Sequence, residues 1–487
     1  MKKYIYTITL LTLITACGYD LDINRDPDKP DQNEVALSSE LAVGAMGIAA
    51  VQSSYYALIG GIWSQFWAQS LAASQYRSID NYSIGSTEYQ GGWSNMYDAL
   101  SDIKNAKRIA LEDGNWNYYL ITTCLDVYAT QIMSDFYGDV PYTEANQGIA
   151  IPEPKFDDSE TLYDLFINDL DEALSKDLST STTPAPGADD FIFGGNMSNW
   201  IKFANTLKLK IYLRQTKIRP TVASAGISAM ITANAEFLTV DAGISTGLDV
   251  FKDEANISNP LYETDRRQLN TQTNLRASAT LHTFLDNNSD ERLITYYGEG
   301  NPMRQGDYNS SAAPNSVSIA NISPLAPVYF ISAAQSYFMQ AEAMERYNSG
   351  TGAKELYDLG VTAAFNKSPN FYDRNLSESA QKWIYDEPFD AAPYIAPSGV
   401  YEYPSAGTLE EKVEAIITQK WISCYPDNGF ESFFEQLRTG YPASFTHSVN
   451  AVITGFPQRI VYPNEELSRN SNAPNSVEIS VPVWWNN

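Results

Sequence analysis

The chain has 487 residues, with 59 acidic against 32 basic side chains and a formal charge of −27. Such a surface repels phosphate backbones, so nucleic acid is not expected as a partner. Hydrophobic residues make up 44% and charged residues 19%, a globular composition in a chain long enough for a large core; the 13% aromatic content is high for an intracellular enzyme and common in carbohydrate-handling proteins.

The amino end reads as a secretory leader. Lys2 and Lys3 precede an uncharged, apolar or hydroxylated run from Tyr4 to Ala16, too short to span a bilayer, which takes about 20 apolar residues. Ile14-Thr15-Ala16-Cys17 resembles the bacterial lipobox. That resemblance implies a signal peptide over 1–16 and acyl chains on Cys17; multiple chains anchor stably where one holds only marginally. The alternative is an ordinary leader with an incidental cysteine. Cleavage removes Lys2 and Lys3 and no acid, so the −27 becomes about −29. Residues 17–35 carry Asp20, Asp22, Asp26, Asp28, Pro27 and Pro30, which disfavour helix and core, and predict an extended acidic tether. In some Gram-negative lipoproteins acidic residues after the lipidated cysteine accompany export to the outer face.

From 36 to 487 we expect one mainly α domain. Apolar residues at three-and-four spacing predict helices over 38–73, 93–112, 118–136, 160–178, 199–217, 222–235, 329–347, 352–366 and 409–437. Asp158 or Ser159 is the expected N-cap of the fourth. Helix pairs joined by short turns, as in "WSNMYDALSDIKNAKRIALEDGNWNYYLITTCLDVYA", have the rhythm of tetratricopeptide units of about 34 residues; a generic helical bundle is the competing reading. Three stretches interrupt the pattern and are expected as long irregular loops: 74–92, 179–198 and 238–327. With Cys17 lipidated, Cys124 and Cys424 sit in apolar helical patterns and are read as two separately buried thiols in preference to a disulfide.

Catalytic signatures are missing. The sequence around neither of the two histidines, His282 and His447, suggests a nucleophile, and no HExxH, CxxC or phosphate loop occurs. Asp286, Asn288 and Asp290 begin like a calcium loop, but Glu291 replaces the required glycine and Tyr297 the closing glutamate. No catalytic residue, metal or cofactor is assigned, and binding is favoured over catalysis.

Six stretches then share an order and spacing: "LDINRDPDKP" (21–30), "DFYGDVPYTEA" (135–145), "NWIKFANTLKLKIYLR" (199–214), "YFMQAEAMERY" (337–347), "IITQKWISCYPDNGFESFFEQLRTGYP" (416–442) and "RIVYPNEELSRN" (459–470). With the lipobox, this ordered set resembles the SusD/RagB family of nutrient-binding outer-membrane lipoproteins over nearly the whole chain. The resemblance implies a helical fold with tetratricopeptide-like units. It also implies a lipid anchor in the outer membrane, a SusC-like TonB-dependent transporter as partner, and capture of oligosaccharides, or peptides in some branches, without catalysis. A helical-repeat interaction adaptor and a secreted hydrolase with unrecognised carboxylates are the rival classes.

The motifs themselves read as structural. Gly138 and Pro141 should end one helix, Gly440 and Pro442 another, while Trp93, Trp200 and Trp421 should be core. A neutral glycan needs aromatic platforms and fixed polar groups on exposed loops. That rule selects Tyr76 and Tyr82 with Arg77, Asp80 and Asn81 in the first loop. In the long central insertion it selects Tyr262, Arg266, Tyr297, Arg304 and Tyr308. The resemblance places its ligand surface in broadly these two regions.

Overall fold

The computed structural model describes residues 36–269, 274–367 and 389–487; the leader, Cys17 and the acidic tether lie outside the described residues. The chain begins with α1 (Leu37–Val51), a π-helical turn (Gln52–Tyr56) and α2 (Ala57–Trp63), continuous as one apolar rod. By length and composition this rod could cross a membrane, but most of it is buried inside the protein. The expected helix over 38–73 therefore stops ten residues early. Gln65 takes a left-handed φ of 61°, the chain reverses, and Trp67–Gln69 forms strand β1.

After the short α3 (Arg77–Asp80) come α4 (Gly91–Asp113) and α5 (Trp116–Tyr137), a hairpin turned by Gly114 at φ 69° and capped by the Asn115 side chain accepting from Tyr118 N–H. The α6 helix (Ser159–Ser175) is capped by Asp158, and α7 (Met197–Arg214) and α8 (Pro220–Thr232) pack on in succession. The 238–327 stretch, expected to be irregular, instead carries β2 (Ala242–Ile244), α9 (Pro260–Tyr262), a second π turn (Glu263–Gln268), β3 (Leu275–Ala277), α10 (Ala279–Asn287) and α11 (Leu293–Tyr296). These elements are too short to show a helical or alternating period.

Strand β4 (Val328–Ile331) leads into α12 (Ala333–Tyr347), which opens on a Ser332/Gln335 capping box and pairs with α13 (Ala353–Lys367). The one-turn α14 (Ala392–Ile395) follows. The run expected as one helix over 409–437 is two, α15 (Leu409–Ser423) and α16 (Gly429–Thr439), broken where Pro426 has no N–H to continue the ladder. A final short helix, α17 (Asn464–Arg469), follows. Gly138 at φ 88° and Gly440 at φ 81° terminate α5 and α16, as their motifs predict.

Antiparallel β1–β3 pairs Trp67 with Ala277, and antiparallel β2–β4 pairs Ile244 with Val328. Trp200 and Trp421 are core, at 0% and 1% exposure. Cys124 and Cys424 are separately buried free thiols. The α2–α16 contact is unusually close: a Cβ on Gly60 would lie 2.1 Å from Phe430 N, and one on Gly429 2.6 Å from Gly61 Cα.

The family-like motifs converge on a buried lattice of charge. The Arg214 guanidinium, fully buried, reaches Asp135 at 3.3 Å, Glu435 at 3.1 Å and Glu431 at 2.6 Å. Lys210 pairs with Glu431 at 2.7 Å, Lys420 with Glu435 at 3.0 Å, and Arg438 with Glu342 at 2.7 Å. Burial alone would raise these carboxyls. The cations outweigh it at Glu342 and Glu431, which are held down to about 2, whereas at Asp135 burial wins and the carboxyl is pushed up to about 6.

Candidate functional site

The two π turns face one cavity. Single π turns are rare and concentrate where a helix must re-aim its side chains. In the first, Tyr56 points inward and its hydroxyl donates to the Gly92 carbonyl at 2.6 Å. Gln52 spans the core, donating to Tyr329 O at 2.7 Å and accepting from Tyr128 Oη at 2.7 Å. The neighbouring Tyr55 turns outward and lines the cavity. The second π turn divides in the same way. Asp265 and Arg266 are buried, while Thr264 and Gln268 line the opposite wall.

The cavity, about 540 Å³, has a floor of small and aliphatic residues from α1, including Gly47, Ala50 and Val51. Its polar wall comes from α4, through Asn95, Asp98 and Asp102. Tyr76 and Tyr89 from the 74–92 loop close the side. Tyr89 sits at φ 54°, and its hydroxyl donates to the Gln75 carbonyl at 3.2 Å. Burial holds Tyr89 up at about 12, and burial together with the neighbouring Asp98 raises Asp102.

Among the described residues, the side-chain polar atoms of Tyr55, Asn95, Asp98, Asp102, Thr264 and Gln268 make no hydrogen bond to the protein. Among the described residues no Lys or Arg lines the cavity. Aromatic edges, unpaired amides, hydroxyls and carboxylates over an apolar floor can take a polyhydroxylated ligand with apolar faces.

The structure brings the two expected regions together, but not as exposed platforms. Tyr76 lines the cavity with only 3% of its surface exposed; its hydroxyl donates to Asp265 at 2.7 Å. Asp265 also binds Arg266, whose Nη2 donates to the Ala320 carbonyl at 2.7 Å. Tyr82, Tyr262, Tyr297 and Tyr308 are buried as well. Tyr82 Oη accepts from Ser448 N–H at 3.2 Å, Tyr297 donates to the Phe66 carbonyl at 2.7 Å, and Arg267 lies over the Tyr262 ring at 5.3 Å.

Arg77 covers the Tyr308 ring at 4.9 Å. Asp80 is buried, pushed up to about 7 by that burial, and accepts from Gln69 N–H at 2.9 Å and Gln305 Nε2 at 3.2 Å. Asn81 receives Val452 N–H on its carbonyl at 2.9 Å. Of the ten, Arg304 alone is well exposed, at 67%, pairing with Asp307 at 3.3 Å. Loop tyrosines here fasten loop to body, because a buried ring with a satisfied hydroxyl is what holds a long connection in place.

Tyr55, Asn95, Asp98, Asp102, Thr264 and Gln268 were not selected from the sequence. Asn95, Asp98 and Asp102 left a signal, a polar stripe at i, i+3 and i+7 opposite the apolar face of the 93–112 helix. Tyr55 left none, because a π turn has no period of its own.

The profile of a SusD-like family, described as "Starch-binding associating with outer membrane", matches residues 45–463. Among solved structures, a SusD homolog from Bacteroides uniformis ATCC 8492 superposes with a TM-score of 0.74 at 23% identity, covering 92% of this chain and 99% of its own. A chitin-binding SusD homolog from Flavobacterium johnsoniae superposes at 0.71 with 22% identity, covering 93% and 98%. A SusD homolog from Bacteroides thetaiotaomicron VPI-5482 does so at 0.70 with 20% identity, covering 93% and 99%. At these identities the likeness is one of fold. No curated protein matches the chain in sequence.

Proposed function

The chain belongs to the SusD-like family of starch-binding proteins that associate with the outer membrane, and from that membership we propose that it captures oligosaccharides at the cell surface and passes them to a SusC-like TonB-dependent transporter. Cys17 carries the lipid anchor in this reading, and the acidic tether holds the folded body clear of the membrane, facing outward. The protein acts by binding, without catalysis. Starch and chitin, the glycans attached to the family and to one structural relative, are the first candidates.

The observation that carries the reading is the cavity between the two π turns. It offers aromatic edges from Tyr55 and Tyr89 and six polar side chains left unpaired by the protein. Tyr76 belongs to its wall, held by Asp265. Of the other expected residues, Arg266 supports that wall from behind through Asp265.

The test is a titration of the soluble, lipid-free protein against starch- and chitin-derived oligosaccharides and, separately, peptides. Tyr55→Ala with Gln268→Ala should weaken glycan binding at least about tenfold, roughly 1.4 kcal/mol, with the melting temperature nearly unchanged. Glycan affinity that survives in the folded double variant would remove this cavity from the site. Binding of peptides alone would move the ligand class. Separately, Cys17→Ser should release the protein from the outer-membrane fraction; retention there would refute the anchor. Purification of the native protein in mild detergent as a lone species, with no larger partner, would count against the transporter.

A further inference from the structure

A second cavity, about 420 Å³, opens on the other side of α4. Its walls are the start of α4, the segment 141–154, and the region of α17. Two stretches quoted above for their family likeness, 135–145 and 459–470, meet here although more than three hundred residues separate them. Trp93 forms the back wall, its indole N–H donating to Glu466 at 3.3 Å.

Asn146 ties the segment to α4, donating from Nδ2 to the Tyr97 carbonyl at 2.8 Å; its Oδ1 is buried and has no hydrogen-bond partner among the described residues. The Arg469 side chain, exposed at the mouth, makes no hydrogen bond or ion pair among the described residues. Gln147, also exposed, lines the same mouth.

The two cavities are neighbours across a single ridge. Asp98 lines both. Consecutive residues part to either side of it, Tyr89 and Asn95 to the first cavity and Gln90 and Ser94 to the second. Asp98, Ser94 and Asn95 are exposed along the crest.

Resting on the glycan reading above, we propose that both cavities are subsites for one linear oligosaccharide, which lies across the amino-terminal half of α4 with Asp98 beneath its middle. A helix with its side chains is about 10 Å across, and a pyranose unit advances a chain by roughly 5 Å, so about two units cover the ridge and at least one more is needed on each side. A disaccharide fills one cavity only; a tetrasaccharide is the shortest ligand that reaches both.

The experiment is calorimetric titration of the full soluble chain with maltooligosaccharide and chitooligosaccharide ladders, disaccharide to octasaccharide. Affinity should climb steeply between the disaccharide and the tetrasaccharide or pentasaccharide, then level off. Gln147→Ala with Arg469→Ala should lower hexasaccharide affinity about tenfold and leave the disaccharide unchanged, whereas Gln268→Ala in the first cavity should weaken both. Affinity flat with length, or hexasaccharide binding indifferent to Gln147→Ala with Arg469→Ala in a protein of unaltered melting temperature, would overturn the two-cavity site while leaving the first cavity standing. Failure of every member of both ladders to bind would overturn the glycan reading and this extension together.

Discussion

Replacing Arg214 with Met tests whether the buried ionic lattice is the keystone of the helical body. The guanidinium is fully buried, reaches three carboxylates between 2.6 and 3.3 Å, and lies over the Phe434 and Trp485 rings at 5.1 and 5.2 Å. Methionine keeps the stem and some of the ring contact but removes the charge. Glu431 retains Lys210, and Glu435 retains Lys420 and Arg438. Among the described residues Asp135 retains only the Tyr163 hydroxyl and the Trp485 indole N–H, so it bears most of the loss. Removing one partner of a buried pair costs about 3–5 kcal/mol. For 487 residues the unfolding entropy is about 1 kcal/mol/K, so the melting temperature should fall by about 3–5 °C. Without its cation, Asp135 rises further above its present value of about 6 and takes up a proton. The deficit should therefore be larger at pH 8 than at pH 5.5. Differential scanning calorimetry of both proteins at the two pH values checks this. A fall of less than about 1 °C, or a deficit that does not change with pH, would refute the keystone role.

Gly60→Ala should lower the melting temperature by about 1–3 °C, the effect of about 1–3 kcal/mol of overpacking, because its Cβ would meet Phe430 N at 2.1 Å. Gly85→Ala, whose nearest neighbour would be Glu88 Oε2 at 3.8 Å, is the matched control, and equal melting of the two variants would contradict the close α2–α16 packing. The pH profile of stability should be acid-shifted. Asp80 and Asp427, both pushed up to about 7 by burial, gain stability for the fold as pH falls from about 8 towards 4, where the unfolded carboxyls begin to protonate. Glu342 and Glu431, held at about 2, contribute stability that is complete above about pH 4.3 and is lost as pH falls towards 2. Melting temperature should thus peak near pH 4–5, and a maximum at pH 8 would reverse the argument.

The fold was legible where periodicity is long. The α4–α5 hairpin announced itself through Trp93, Met96, Leu100 and Ile103 and the Gly114 turn, and the cap of α6 was legible as Asp158 or Ser159, of which the structure uses Asp158. Legibility failed where short-range signals compete with tertiary geometry. Leu409 to Leu437 reads as one amphipathic run until Pro426 is given its due, and the strands Ala242–Ile244 and Leu275–Ala277 are too short to alternate. At the candidate site, aromatics in polar loops suggest ligand platforms. Yet Tyr82, Tyr297 and Tyr308 are spent fastening those loops. The rings nearer solvent, Tyr55 and Tyr89, depend on a π turn and a left-handed residue, neither of which has a sequence period. The buried ion partners of Arg214 were hidden for a related reason: charges in a helical pattern read as a solvated face.

The pairing of β2 with β4 brings Ile244 beside Val328 and so closes the whole intervening segment at its neck. Once a neck is fixed, the entropy of the enclosed loop grows only logarithmically, about 0.6 kcal/mol for each doubling of length. What lies beyond the neck is stitched back into the helical frame, through β3 on β1 and through the Tyr297 hydroxyl on the Phe66 carbonyl. The insertion is therefore woven into the scaffold at several points along its length. Length can change cheaply only between those stitches, whereas a change at Leu275, Ala277 or Leu281, all buried in the core, is felt by the helices themselves.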